Sequence, residues 1–293
     1  MNAGSGRTVA VCGATGRQGG AVCRSLAGRG WSVRGLTRKP DGKPAKVLAG
    51  LGVEVVRADM DDLGSLRQAF DGVDGVYSVQ NGLKAGFDRE LAQGRNVAEA
   101  AADRGVAHVV YGSAGPGGDA TGVNSWDVKL QIEQHLQELG LPVTVLRPMA
   151  FMELMTDKAL YPSVGTWNIW PRIMGDERPV PWLCVRDLGE VAATVFAAPD
   201  RFLGKNLVLA SDVRTLAECR AIYTEVMGKD PKSAPMPQWL FDRFTRKDLS
   251  TMWHWLRTHP VPLDTKPTWD VLPSAKTVRG WLTEQRDAEA AAS

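Results

Sequence analysis

The 293-residue chain reads as an α/β protein, a doubly wound parallel sheet with a smaller, mainly helical C-terminal lobe. Three observations predict this. Short Val-rich apolar runs alternate with helical patterns through the first half, the rhythm of right-handed crossovers between parallel strands. The first run, Thr8-Val9-Ala10-Val11-Cys12, leads straight into Gly13-Ala14-Thr15-Gly16-Arg17-Gln18-Gly19-Gly20 and then an apolar helix. After Pro148 the rhythm breaks, and Pro, Trp and Met become frequent.

Taken in order, the first strand is Val9 to Cys12, and the helix Ala21 to Ala27 follows with Ala21, Val22 and Leu26 as its apolar side. Strand Ser32 to Leu36 comes next, then helix Ala45 to Leu51 and strand Glu54 to Ala58. Helix Leu63 to Phe70 precedes strand Gly75 to Val79, and helix Leu91 to Arg104 precedes strand His108 to Gly112. Val128, Ile132, Leu136 and Leu139 share a helical spacing that Gly140 and Pro142 stop, and strand Val143 to Arg147 completes a six-stranded sheet. Trp182 to Ala198 is a strand followed by a helix, Thr215 to Trp281 is mainly helical, and the polar, alanine-rich Glu284 to Ser293 is expected to fray. Residues 1–152 form the Rossmann domain, to which 183–212 return, while 153–182 and 213–293 form the smaller lobe. Two lobes imply a cleft for a small-molecule substrate.

The glycines carry the first functional signal. Gly13 permits a tight turn, Gly16 lets main chain approach a pyrophosphate, and Gly19 lets the new helix pack closely on its strand. The helix N-terminus adds N–H donors and partial positive charge for the phosphates. At the end of the second strand, where the adenosine ribose of such a dinucleotide lies, an NAD-selective site places an acid. Here Gly35-Leu36-Thr37-Arg38-Lys39 puts adjacent cations there, with Lys43 nearby. A 2'-phosphate fits that pair, Arg38 offering a bidentate fork, so NADP(H) is the expected cofactor.

Composition removes other classes. A net charge of +2 with no Lys or Arg run excludes nucleic acid and anionic membrane as partners and leaves small polar or aromatic molecules. Cys12, Cys23, Cys184 and Cys219 are far apart without a CxxC, so neither a disulfide frame nor a metal site is expected. Residues 1–7 lack an apolar signal core, and nowhere do about 18 apolar residues run together, so a cytoplasmic location is expected.

The glycine loop, Leu36-Thr37-Arg38-Lys39-Pro40, Ala58-Asp59-Met60-Asp61-Asp62 and Val109-Val110-Tyr111-Gly112-Ser113 together resemble the NmrA-like family, atypical short-chain dehydrogenase/reductase relatives. So do Trp126-Asp127-Val128-Lys129, the segment from Leu146 through Pro148 to Glu153, and Val185-Arg186-Asp187-Leu188-Gly189. The resemblance is strong to about Ala210 and loose beyond. It implies a Rossmann lobe that binds NADP(H), with Thr15, Gly16, Arg17 and Gln18 at the pyrophosphate and Arg38 at the 2'-phosphate. It places Asp59 and Met60 beside the adenine, Val79, Gln80 and Asn81 along the middle of the cofactor, and Lys129 at the nicotinamide ribose. Ala150, Phe151 and Met152 would line the nicotinamide face.

Short-chain dehydrogenases pair a Tyr with a Lys four residues later, so that both side chains leave one helix face. Here the Lys is Lys129 and the residue four before it is Ser125, a poor replacement for the phenol and equally a helix cap. Lys129 is then either a proton donor, directly or through water, or a ribose anchor. Ser113 either polarises a substrate carbonyl or caps the glycine-rich loop Ala114-Gly115-Pro116-Gly117-Gly118, a candidate lid. Of ten tryptophans only Trp31 lies in the first 120 residues, and Trp126, Trp167 and Trp170 are candidate walls for an aromatic ligand or ordinary core. Three readings follow: an NADPH-dependent reductase of a small carbonyl or unsaturated substrate, aromatic ones included; a non-catalytic NADP(H)-binding redox sensor that regulates a partner protein; and an isomerase using the same pocket.

Overall fold

The computed structural model describes residues 6–157, 165–233 and 235–291. They form two compact units. The first comprises residues up to Ala120, Ser125–Arg147 and Val185–Leu207. Along it run β1 (Thr8–Val11), α1 (Arg17–Gly28), β2 (Ser32–Thr37), α2 (Lys43–Ala49), β3 (Glu54–Arg57), α3 (Leu63–Ala69) and β4 (Gly75–Ser78). The one-turn α4 (Gly82–Ala85), α5 (Phe87–Asp103), β5 (His108–Gly112), α6 (Asn124–Glu138) and β6 (Val143–Pro148) follow.

The central sheet has the order β3-β2-β1-β4-β5-β6, with β9 (Asn206–Leu209) beside β6 at the edge. β1 pairs in parallel with both β2 (Val9 against Val33) and β4 (Val9 against Gly75), so the strand order reverses between β1 and β4. The pairs β2–β3, β4–β5 and β5–β6 are also parallel. All five β5 residues are buried, as expected of a parallel strand covered on both faces. On one face Ala10, Val109 and Val145 pack with Val97 and Ala101 of α5 and Ile132 of α6. On the other, α1 lies against α8 (Val185–Ala197), where a Cβ on Gly189 would stand 2.7 Å from the Ala21 backbone.

The six expected strands are present within two residues at each end. The first helix starts four residues before the Ala21 of the sequence reading, because Gly16 serves as its N-cap and the glycines after it enter the first turn. The polar tail, expected to fray, is helical where it is described. Its alanines and glutamates favour helix, and α14 (Val278–Ala291) runs through it. Residues 292 and 293 lie outside the described residues.

The second unit comprises Thr121–Asn124, Pro148–Cys184 and Val208–Ser293. Its helices are α7 (Trp170–Met174), α10 (Leu216–Met227), α11 (Gln238–Phe244), α12 (Asp248–Thr258), α13 (Lys266–Val271) and α14, while α9 (Pro199–Phe202) belongs to the first unit. A small sheet, β10-β8-β7, joins β7 (Ala150–Phe151), β8 (Val180–Leu183) and β10 (Asp212–Arg214). Trp170 stacks on Trp253 at 5.5 Å, and Trp253 on Phe241 at 5.4 Å. Among the described residues no helix is long and apolar enough to cross a membrane.

His108, at the start of β5, bonds Thr144 Oγ1 through Nε2 at 2.8 Å and packs edge-on against Phe196. Burial lowers its pKa to about 4 from 6.5. Its neutral form therefore contributes stability that is present above pH 6.5 and lost as pH falls towards about 4. His108→Asn should flatten this part of the acid limb in urea midpoints; an unchanged limb would assign the loss to other groups.

Candidate nucleotide-binding site

The loop after β1 is closed by its own backbone. Gly13 has φ of 62°, in the left-handed region, and its carbonyl accepts from the Gly16 N–H at 2.8 Å. The Ala14 N–H donates to the Leu36 carbonyl and the Cys12 N–H to the Tyr77 carbonyl, which ties the loop to β2 and β4. A Cβ on Gly19 would collide with the Gly13 carbonyl, 2.7 Å from its carbon, and stand 2.8 Å from the Cys12 oxygen. Helix α1 thus starts closer to its strand than any side chain permits. Its first turn holds no acidic residue, so nothing there offsets the positive end of the helix dipole. Gln18 receives the Tyr77 hydroxyl hydrogen bond at 3.3 Å.

This loop sits at the strand-order reversal, the place where open α/β sheets bind ligands. Three strand ends converge there. A Cβ on Gly13 would be 3.7 Å from Val79 Cγ1, and one on Gly112 would be 3.3 Å from Val79 Cβ. Beyond β2, Arg38 and Lys39 are exposed, and the Arg38 carbonyl accepts from Arg57 at 3.1 Å. After β3, Asp59 Oδ1 accepts from the Asp61 N–H, while the cap of α3 is Asp62, which accepts from Gly64 and Ser65. Asp59 therefore does not serve as that cap. Asn81 caps α4 through a 3.3 Å bond from the Lys84 N–H. Gln80 is buried, its Nε2 donating to Ser78 Oγ at 3.0 Å, and its Oε1 lacks a partner among the described residues.

Lys129 is buried on α6, and its ammonium donates to Glu90 Oε1 at 2.7 Å and to the Gln80 carbonyl at 3.3 Å. Its Nζ lies 5.9 Å from the centre of the Tyr111 ring. Tyr111 does not supply the phenol missing at Ser125. Its hydroxyl is fully buried, and burial, with Glu90 and Glu133 adding repulsion, holds its pKa well above 10. Sequence reading missed Glu90. The available signal was its register: residues 90, 94, 97 and 101 form one buried stripe of α5, so a carboxylate opens an otherwise apolar face.

Ser113 belongs to a second buried network. Its hydroxyl donates to Glu133 and accepts from Arg147 Nη1 at 3.1 Å. The guanidinium also pairs with Glu133 and donates to the Ala114 carbonyl at 3.0 Å and to Asn206 at 2.9 Å. Arg147 is 2% exposed, and neither it nor Glu133 was singled out from sequence. A Cβ on Gly115 would meet the Trp126 side chain, so the loop backbone at Gly115 packs directly against that indole.

Ala150, Phe151 and Met152 belong to the second unit, where Ala150 pairs with Trp182 and Phe151 with Leu183. Trp167 donates to the Met155 carbonyl and meets Tyr223 edge-on, and Trp170 is 3% exposed within the aromatic stack. These tryptophans build the core of their own unit. None of the four cysteines is in a disulfide and all are buried, burial pushing the Cys12 and Cys23 thiols up to about 12. No group of His, Cys, Asp or Glu among the described residues is arranged to hold a metal ion.

The parallel sheet, its reversal point and the glycine loop define a Rossmann-type α/β protein. The chain belongs to the NmrA-like family, whose model matches residues 5–271. It is 32% identical over 259 residues to the NmrA-like family domain-containing oxidoreductase FrzB of Cladobotryum sp., covering 79% of this chain and 77% of that one. In structure it is similar to NmrA, a negative transcriptional regulator crystallised with NAD, with a TM-score of 0.80 at 19% identity over 98% of this chain and 97% of that one. It is also similar to the Citrobacter sp. triphenylmethane reductase complexed with NADP(H), with a TM-score of 0.74 at 21% identity over 95% and 99% of the two chains.

Proposed function

We propose that this chain is an NADPH-dependent reductase that delivers hydride to a small carbonyl or otherwise unsaturated compound. The first unit's residues fit NADP(H). The loop from Gly13 to Gly19 leaves backbone uncovered where a pyrophosphate needs it, and the exposed Arg38 and Lys39 match a 2'-phosphate. Thr15, Arg17 and Gln18 hold the pyrophosphate side, Asp59 and Met60 the adenine side, and Val79 to Asn81 the middle. When bound, the cofactor supplies the hydride.

The observation that carries the reading is the lysine. Lys129 keeps its ammonium buried at the end of β4, with two of its three donors bonded among the described residues, which leaves the third for a ligand oxygen. We assign it to the nicotinamide ribose. Ser113, bonded to Glu133 and Arg147, orders the loop at residues 114–118 beside the substrate position. The oxidoreductase name carried by the 32%-identical relative supports chemistry over mere binding.

A second reading, a redox sensor acting on a partner protein, is favoured by one observation: Ser125 stands where a phenol would be, so the helix lacks the phenolic acid of the usual Tyr/Lys pair. Single-turnover mixing separates the two. Bound NADPH should lose its nicotinamide absorbance with a pool of quinones, enones and imines; tight binding without any such loss would remove the reductase and leave the sensor. For the cofactor's identity, Arg38→Ala should weaken NADP(H) by about 1.5–3 kcal/mol, the worth of a charge-assisted bond, and NAD(H) hardly at all. Equal loss for both in calorimetry would place the 2'-phosphate elsewhere.

A further inference from the structure

Resting on that cofactor reading, we infer that Glu90 is a positioning residue for Lys129, fixing the ammonium so that its remaining N–H faces the nicotinamide ribose. Glu90 is 1% exposed and the Lys129 side chain 10%, so both charges have left water almost completely. A buried pair of this kind is poor value for stability, since well-packed apolar residues in its place are often neutral or better. Its gain is direction. A lysine stem has four rotatable bonds, and an ammonium is a point charge with no preferred fork. Glu90 Oε1 at 2.7 Å and the Gln80 carbonyl at 3.3 Å fix it from two sides.

The backbone is shaped around the carboxylate. Asn81 caps the single turn α4, which begins at Gly82, and a Cβ on Gly82 would overlap Glu90 Oε2 and stand 2.5 Å from the Phe87 ring. Only glycine leaves that space. The turn after β4 thus supplies the Gln80 carbonyl and the room for Glu90 within three residues. Together they hold the ammonium in one direction, which is what a ribose anchor requires.

The test uses two ligands: NADPH, and adenosine 2',5'-bisphosphate, which has the 2'-phosphate but no nicotinamide ribose. Both are titrated calorimetrically into the full chain and into E90Q, E90D, K129M and E90Q/K129M. E90Q should weaken NADPH on the order of tenfold, the scale of one hydrogen bond to a charged group, and leave the bisphosphate unchanged. The double variant should match K129M, because Glu90 acts only through the lysine. E90D keeps the charge but shortens its reach, so it retains the fold if E90Q does not, and should also weaken NADPH selectively. Equal loss of both ligands, no loss of either, or a double variant weaker than K129M would overturn the assignment. Failure of the unaltered chain to bind either ligand would instead remove the cofactor reading itself.

Discussion

Replacing Gly19 by alanine should abolish NADP(H) binding and lower the urea midpoint, the unfavourable packing alone costing at least about 1–3 kcal/mol. The added Cβ meets backbone only, the Gly13 carbonyl and the Cys12 oxygen at 2.8 Å, and no rotamer relieves it. Helix α1 must therefore move off β1, and the turn closed by the Gly16 N–H to the Gly13 carbonyl opens with it. Gly28 in the same helix is the control. A Cβ there meets nothing within 4 Å, so Gly28→Ala should keep cofactor affinity and stabilise by up to about 0.5–1 kcal/mol through reduced backbone entropy in the unfolded chain. If Gly19→Ala binds NADP(H) and unfolds like the unaltered chain, close helix packing is not what this glycine provides.

That contrast shows why the sheet and its glycine loop were legible in sequence. Strand, turn and helix start are contiguous there, and Gly13, Gly16 and Gly19 each answer a local backbone demand. The position of Arg38 was legible for the same reason, since it follows its strand directly. Glu90, Glu133 and Arg147 were not, because their partners lie 39, 20 and 34 residues away. A buried ion pair has no local signature; it shows only as a charge in an apolar register, and that is visible at Glu90 in hindsight. The small sheet of the second unit escaped for another reason. β7 has two residues and β10 three, too short for an alternating pattern to appear. The tryptophans gave a true signal of where a second apolar core forms, but Trp167 is committed to Tyr223 and Trp170 to Trp253 in that core.

The second large effect concerns Arg147. Arg147→Met should cost about 3–5 kcal/mol, because it leaves Glu133 buried without its partner. It also removes the donors to Ser113, Ala114 and Asn206. The pH dependence distinguishes this from a simple packing loss. Burial holds the Glu133 carboxyl above its ordinary 4.5, with Arg147 as the main opposing influence. A folded-state pKa raised in this way favours the protonated acid, so the associated stability is full below 4.5 and declines as pH rises through the raised value. Loss of Arg147 raises that value further and widens the window of decline. Urea midpoints of R147M should therefore keep falling to higher pH than those of the unaltered chain. R147M/E133Q, with no charge left to bury, should restore a flat profile and part of the lost stability. A decline over an unchanged pH range in R147M would mean that Glu133 ionises in the fold without help from the guanidinium, and the network would then be held by its hydrogen bonds alone.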